Sequence, residues 1–222
     1  MERSGNGHHF TLSGARLTAL PSGALWWADE GVLTVSDLHL GKAERMARRG
    51  GALLPPYEVT DTLMRLESLL DSLSPATVIC LGDTFDDTAA ATALPLDAQD
   101  WLARLQAGRR WIWIEGNHDP GPVALGGAHM AETTLGPLTF RHIAEPAGKA
   151  EISGHYHPKA RFRGLSRPCV LTDGNRAILP AFGTYTGGLS CTHPALASIM
   201  GPRACALLCG AAVHALPVAA LA

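Results

Sequence analysis

The residues best equipped for chemistry lie in short polar clusters: "SDLHLGK" (36–42), "GDTFDD" (82–87), "GNHD" (116–119), "RH" (141–142) and "GHYHP" (154–158). Asp37 and His39 are two apart, so an extended segment turns both to one side, and His155 and His157 stand in the same relation. Asp83, Asn117 and His142 add a carboxylate, an amide oxygen and an imidazole. The set therefore holds two carboxylates, one amide oxygen and four imidazoles. Mixed oxygen and nitrogen donors suit Mn, Fe, Zn, Co or Ni. The set is too rich in nitrogen for a Ca or Mg cage and too large for one tetrahedral structural zinc. Seven donors make sense for two metal ions that share a bridging carboxylate and keep positions open for water and substrate. Taken singly, Gly-Asp and Gly-Asn are ordinary turns, and a lone His is more often a surface or satisfied core residue. The weight lies in the ordered set.

Each cluster follows an apolar run that reads as a buried strand. "ALWWADE" and "GVLTVSD" read as two strands joined by a turn at 29–31, the second ending at Asp37. Of the adjacent Trp26 and Trp27, one should face the core, because neighbours on a strand point to opposite faces. Val59, Leu63, Leu66, Leu70 and Leu73 recur at helical spacing and predict an amphipathic helix of about four turns from Tyr57. "ATVICLGD" is a strand ending at Asp83. Residues 97–107 read as a helix with Trp101, Leu102 and Leu105 inward, and "RWIWIEGNHD" is the next strand and turn. "LTFRHIAEP", "AEISGHYHP", "CVLTDGN" and "AILPAFG" follow as strands. Alternating strands and helices, then mostly strands, predict an α/β domain: a layered α-β-β-α sandwich of mixed sheets flanked by helices. Ligand loops beyond the carboxyl ends of strands are where α/β folds place their sites.

Composition narrows the classes. The chain has 222 residues, 46% hydrophobic and 17% charged, enough for a large core and against disorder. A net charge of −2 argues against a broadly basic nucleic-acid coat but leaves room for a local basic patch. The 24 glycines and 15 prolines suit a fold with many tight loops. Cys80, Cys169, Cys191, Cys205 and Cys209 are odd in number and form no CxxC pair, which points to buried thiols in a reducing, cytoplasmic setting. Cys205 and Cys209, four apart, could share a helix face as small core residues. No signal-peptide core or membrane-length apolar run is seen. The apolar C-terminal stretch reads as core elements plus a tail, and "HH" at 8–9 as a flexible start.

The ordered set D-x-H, GD, GNH, H and GHxH resembles the signature of the calcineurin-like metallophosphoesterases over about residues 31–158. "DLHLGK", "RRGGALLPPYEVTDTLMRL", "RHIAEP", "ISGHYHP" and "LPAFGTYTGGL" (179–189) further resemble the bacterial ligase-associated DNA damage response endonucleases of the PdeM type, over nearly the whole chain. The resemblance implies one domain over 1–222, with a motif-bearing core at about 31–158 and C-terminal strands at 168–222. It implies two divalent ions, Mn foremost, with Fe, Zn, Ni or Co as alternatives. Asp37, His39 and His157 would hold the first, Asn117, His142 and His155 the second, and Asp83 would bridge them. His118 would act as general acid or transition-state hydrogen-bond donor beside the leaving group. The implied substrate is DNA, and the implied partners are DNA-repair ligase or helicase proteins.

Other positions carry weaker expectations. Asp119 could orient His118 or simply form the turn. Asp86 and Asp87 read best as solvated turn acids. His8, His9, His129, His193 and His214 lie outside the pattern. Lys42 and "RMARR" (45–49) follow the first cluster, and "KARFRGLSR" (159–167) follows the last, so both could flank a phosphodiester backbone, with Lys42 the candidate substrate contact. Each could equally be a solvated helix face or hairpin. "AFGTYTGG" reads as a Gly-rich turn near a sheet edge. A small-molecule phosphatase or cyclic-nucleotide phosphodiesterase would use the same residues. A non-enzymatic scaffold that binds a protein partner is a third reading, disfavoured because every ligand type and His118 are present.

Overall fold

A computed structural model describes residues 4–121 and 124–221. The chain opens with β1 (His8–Leu12), β2 (Ala15–Ala19), β3 (Leu25–Trp27) and β4 (Val32–Val35), an antiparallel meander. Then α1 (Lys42–Arg48) and α2 (Glu58–Leu73) cross to β5 (Thr77–Leu81), and α3 (Thr88–Thr92) and α4 (Leu96–Gln106) cross to β6 (Arg110–Ile114). With β7 (Ala128–Met130), strands β4, β5 and β6 run parallel, and β1 to β7 form one seven-stranded sheet in chain order.

The second sheet takes β8 (Glu132–Leu135), β9 (Leu138–Arg141), β10 (Glu151–Ser153), β11 (Lys159–Phe162), β12 (Leu165–Thr172) and β13 (Arg176–Ile178). After α5 (Pro194–Ala197) come β14 (Cys205–Leu208) and β15 (His214–Pro217). Its order is β15-β14-β12-β13-β10-β9-β8, with β11 paired to β12, and β10 runs parallel to both neighbours.

The two sheets pack face to face. Leu17, Leu25, Trp27, Ile79 and Ile112 of the first meet Phe140, Ile152, Val170 and Ala177 of the second. On the first sheet's outer face lie α2 and α4, through buried Leu63, Leu66, Leu69, Leu70, Leu102 and Leu105. Each such leucine contributes about 1.5–3 kcal/mol, which explains why α2 follows the sequence's helical spacing. Trp26 packs in the outer core and Trp27 in the inner one, so both indoles serve. The layered α-β-β-α arrangement is the expected one, but the last layer is thin. Among the described residues, the four-residue α5 and irregular chain are what cover β12, β13 and β14.

Three local expectations are corrected. "HH" at 8–9 is not a loose start; it begins β1, where His9 Nδ1 meets Thr18 Oγ1 at 2.8 Å. Cys205 and Cys209 share no helix, because Cys205 lies on β14 and Cys209 just beyond it. "AFGTYTGG" is not at a sheet edge. It leaves β13 inside the second sheet and crosses to the first, where Phe182 N–H donates to Ser36 O at 2.8 Å and Gly183 N–H to Asp37 O at 3.1 Å. Among the described residues no helix is long and apolar enough to cross a membrane.

Candidate metal centre

Six parallel strands aim their carboxyl ends at one place. Just beyond β4, β5 and β6 come Asp37 and His39, Asp83, and Asn117 and His118. Just beyond β9 and β10 come His142, and His155 and His157. The crossing segment after β13 completes the ring. A parallel sheet carries the loops on a rigid base, and here two such bases face each other.

The loops turn sharply to bring the donors inward. Asp37, His39, Asp83, His155 and His157 all have positive φ, between 45° and 67°. Left-handed backbone at non-glycine residues costs about 1–2 kcal/mol each and gathers at functional sites. Glycines make the rest of the close packing. A side chain on Gly183 would overlap the Leu38 carbonyl, and one on Gly188 the His157 carbonyl, so the Gly-rich segment presses bare backbone against both ligand loops.

All eight residues singled out for the site converge. Asp37 Oδ1 is 3.0 Å from His157 Nε2, and His157 Nε2 is 3.4 Å from His39 Nε2. On the other side, His142 Nε2 lies 2.9 Å from Asn117 Oδ1, 3.3 Å from His155 Nδ1 and 3.4 Å from Asp83 Oδ2. His142 Nδ1 sits 2.8 Å from the Leu81 carbonyl and must donate to it. Nε2 is left facing the Asn117 oxygen and the His155 nitrogen, a lone pair once the ring gives up its second proton. Asp37 Oδ1 is buried with no hydrogen-bond donor, and Asp37 and Asp83 are both almost wholly enclosed. Converging lone pairs and enclosed carboxylates call for a cation. Asp37, His39 and His157 form one group able to hold a metal ion, and Asp83, His142 and His155 another. Asp83 also closes a third group with His39 and His118, so it stands between the two sides.

Burial and mutual charge move the titration of these donors in different directions. Burial alone would raise Asp83, but His142 and the His118 N–H outweigh it and hold the carboxyl at about 2. Burial opposes the His142 imidazolium, yet Asp83 and Asp37 prevail and its pKa rises. His155 moves the other way, lowered by burial and by His142.

Asp86 corrects the expectation of a solvated turn acid. It is fully buried, and its Oδ1 lies 2.9 Å from His39 Nδ1 and 3.4 Å from Lys42 Nζ; Arg45 Nε pairs with its Oδ2. Burial alone would raise its pKa, but His39 and Arg45 hold the carboxyl well below the usual range. Its charge fixes the His39 tautomer with Nε2 facing inward. Lys42 thus sits beside the cluster, held by Asp86. Asp87 is also no idle acid: it caps α3 through Ala90 N–H and pairs with Arg48 and Arg49. The arginines of the "RMARR" run are therefore engaged in ion pairs within the chain, Arg48 and Arg49 at the surface. Arg141 of the "RH" pair likewise turns to Glu132, Glu145 and buried Glu151.

Asp119 does not orient His118. Its Oδ2 accepts from the Phe85 N–H at 3.1 Å, tying the "GNHD" loop to the "GDTFDD" loop, and burial lifts its pKa to about 6. His118 is held instead by its N–H on Asp83 Oδ1 at 2.8 Å and by Nδ1 against the Asp86 carbonyl at 2.7 Å. Its half-exposed ring keeps Nε2 free, 3.9 Å from Asp83 Oδ2. His9, His129, His193 and His214 take no part; His129 stacks on Trp113, and His193 caps α5. Nothing in the local sequence marks Asp86: its partners Lys42 and Arg45, three apart on one face of α1, reach it only in the folded chain.

The calcineurin-like phosphoesterase family model matches residues 31–200. This chain belongs to that family. A crystal structure of Pseudomonas putida nuclease MPE is similar, with 31% identity and a TM-score of 0.76, covering 95% of this chain and all of the other. No curated protein matches. Family and neighbour together make the protein a hydrolase of the metallophosphoesterase type with the layered fold described above.

Proposed function

We propose that the protein is a metal-dependent phosphodiesterase, an endonuclease that hydrolyses nucleic-acid phosphodiester bonds with water activated by a dinuclear metal centre. The observation that carries the metal reading is the facing of lone pairs at His142, Asn117 and His155 and at Asp37 and His157. We assign Asp37, His39 and His157 to one ion, Asn117, His142 and His155 to the other, and Asp83 as the bridge. Mn is the metal we expect, with Fe, Zn, Ni or Co able to use the same donors. Bound divalent ions supply Lewis acidity toward the phosphoryl oxygens and an acidified water.

The chain's own groups do the rest. His118 Nδ1–H is spent on the Asp86 carbonyl. Its Nε2, on the exposed side of the ring, is then placed to pass a proton to the departing oxygen as a general acid. Asp86 keeps His39 in register. Lys42, on the first turn of α1 and held 3.4 Å from Asp86 Oδ1, is the lysine we assign to a substrate phosphate. The likeness to a nuclease supports nucleic acid over a small diester. We read residues 1–222 as one domain working in the cytoplasm. DNA repair beside ligase or helicase proteins is the setting that the motif resemblance suggests.

The test uses metal-stripped protein with Mn(II) added back, assayed on bis-p-nitrophenyl phosphate and on supercoiled plasmid beside Asp83→Asn. Metal-dependent cutting of both, lost in the folded variant, is the expected result. Cutting of the small diester alone would remove nucleic acid as substrate. No cutting with Mn, Ni, Co or Zn would refute the catalytic reading.

A further inference from the structure

The hairpin of β11 and β12 starts just after the ligand His157 and carries exposed residues to its tip. Its root is rigid. Pro158, next to His157, accepts from Cys169 N–H at 3.0 Å, Lys159 N–H donates to Leu189 O at 2.8 Å, and Cys191 N–H donates to Lys159 O at 2.7 Å. Its turn is Arg163–Gly164, both at positive φ (49° and 81°), the two-residue turn whose twist matches the strands. The register pairs Ala160 with Arg167 and Phe162 with Leu165. By strand alternation these four share one face. Ala160 is buried at the root, whereas Phe162 and Leu165 at the tip are 41% and 61% exposed. The Arg163 guanidinium lies over the Phe162 ring, 5.3 Å from its centroid.

The charges are unspent. Arg161, Arg163 and Arg167 are exposed, and none forms an ion pair with a carboxylate among the described residues. Residues 158–172 contain no acid. This contrasts with Arg45, Arg48 and Arg49, all paired with Asp86 or Asp87. A rigid projection thus presents an aromatic ring, a branched aliphatic and three guanidiniums without a carboxylate partner among the described residues, in a chain of net charge −2. Phe162 is five residues past His157, at most about 17 Å along the strand. Apolar rings that stack on bases, beside arginines that track phosphates, are the chemistry of single-strand binding. Stacking on the ring needs bases that are not already paired.

We propose that the β11–β12 tip is the subsite for unpaired nucleotides flanking the bond to be cut, with Phe162 and Leu165 stacking on bases and Arg161, Arg163 and Arg167 contacting phosphates. This rests on the nucleic-acid reading above. The test compares the Mn(II)-loaded protein with a Phe162→Ala/Leu165→Ala pair and an Arg161→Ala/Arg163→Ala/Arg167→Ala triple. Substrates are a labelled single-stranded oligonucleotide and bis-p-nitrophenyl phosphate, which is too short to reach the tip. Thermal melts verify folding.

The apolar pair should lower the ratio of oligonucleotide to small-diester cleavage about tenfold or more. The arginine triple should flatten the slope of log affinity against log salt by about 2, three single-strand contacts at roughly 0.7 each. If the parent protein cuts the oligonucleotide and both variants keep its ratio and salt slope, the hairpin proposal falls while the nuclease reading stands. Equal loss on both substrates would also overturn it, since the hairpin would then act through the ligand loops. If the parent turns over the small diester but neither cuts nor binds the oligonucleotide, the nucleic-acid reading fails, and the hairpin proposal with it.

Discussion

Gly82 separates backbone strain from site geometry. Its φ is +73°, and an added Cβ would stand 2.5 Å from His142 Nδ1, 2.6 Å from its Cγ and 2.8 Å from its Cβ. Ordinary contact begins near 3.4 Å, so the ring must retreat by roughly 0.6–0.9 Å. That movement draws Nδ1 off the Leu81 carbonyl and Nε2 away from Asn117. Gly108 is the matched control: its φ is +75°, and nothing lies within 4 Å of the added methyl. Both alanine variants incur the left-handed penalty of about 1–2 kcal/mol. Only Gly82→Ala adds overpacking, about 1–3 kcal/mol more. For a chain of this size each kcal/mol moves Tm by about 2–4 °C. Gly108→Ala should therefore lose about 2–8 °C and keep full activity. Gly82→Ala should lose about 4–20 °C in the metal-free protein. A displaced ligand should also weaken metal binding by about 10–100-fold and slow turnover by about 100-fold. The assays are a metal-free melt, a Mn(II) titration and turnover of bis-p-nitrophenyl phosphate at saturating metal. Equal melting losses in the two variants, with Gly82→Ala retaining metal affinity and kcat, would refute the placement of His142 against this glycine.

Other outcomes follow from the same geometry. Asp86→Asn removes the charge that holds His39 Nδ1–H and leaves Lys42 and Arg45 without their shared partner; Mn(II) affinity should fall about 10–100-fold, and a titration that matches the parent would count against the role given to Asp86. His118→Ala should cut turnover by about 100-fold or more while two ions still bind, so a metal count by mass spectrometry showing one ion would make His118 a ligand instead. Saturating Mn(II), at about 100 times its Kd, should stabilise the folded protein by about 2.7 kcal/mol per ion bound, or about 5–11 °C in Tm for each; an unmoved melt would remove the metal reading. In the metal-free protein the depressed pKa values of Asp83 (about 2) and Asp86 favour the folded state above pH ~4, their ordinary range, and that stability is lost as pH falls through their folded-state values. An acid titration followed by circular dichroism should show Asp83→Asn losing less stability than the parent between about pH 4 and 2.

How much of this was legible depends on distance along the chain. "GVLTVSD", "ATVICLGD" and "RWIWIEGNHD" announce strand ends because burial and polarity switch within one or two residues, and those switches gave the site. α2 was legible because its leucines face one sheet. Asp86 was not, since its partners Lys42 and Arg45 lie 44 and 41 residues earlier and meet it only through the packing of α1. His142 has no strong local motif, and only its place just after an apolar run put it in the donor set. α5 is too short to show a period, and in β1 a histidine, His8, takes an inward-side position beside Phe10 and Leu12, which blurs the apolar alternation.

The "AFGTYTGG" segment misled for a more general reason. Glycine at a tight approach and glycine in a free turn are the same letter, and only the Leu38 and His157 carbonyls tell them apart. The ligands themselves are ambiguous in the same way. Asp37, His39, Asp83, His155 and His157 hold the left-handed backbone that makes Asp read as a turn former. That conformation costs the five residues roughly 5 kcal/mol or more together, and local sequence has no means of offsetting it. The offset comes from structure far away in the chain: the Ser36 hydroxyl and His155 N–H on Asp37, the His118 N–H on Asp83, and the glycine backbone behind both loops. A chain that spends this much to turn five donors toward one another, with two enclosed carboxylates and no fixed cation between them, is shaped for the positive charge it takes up there.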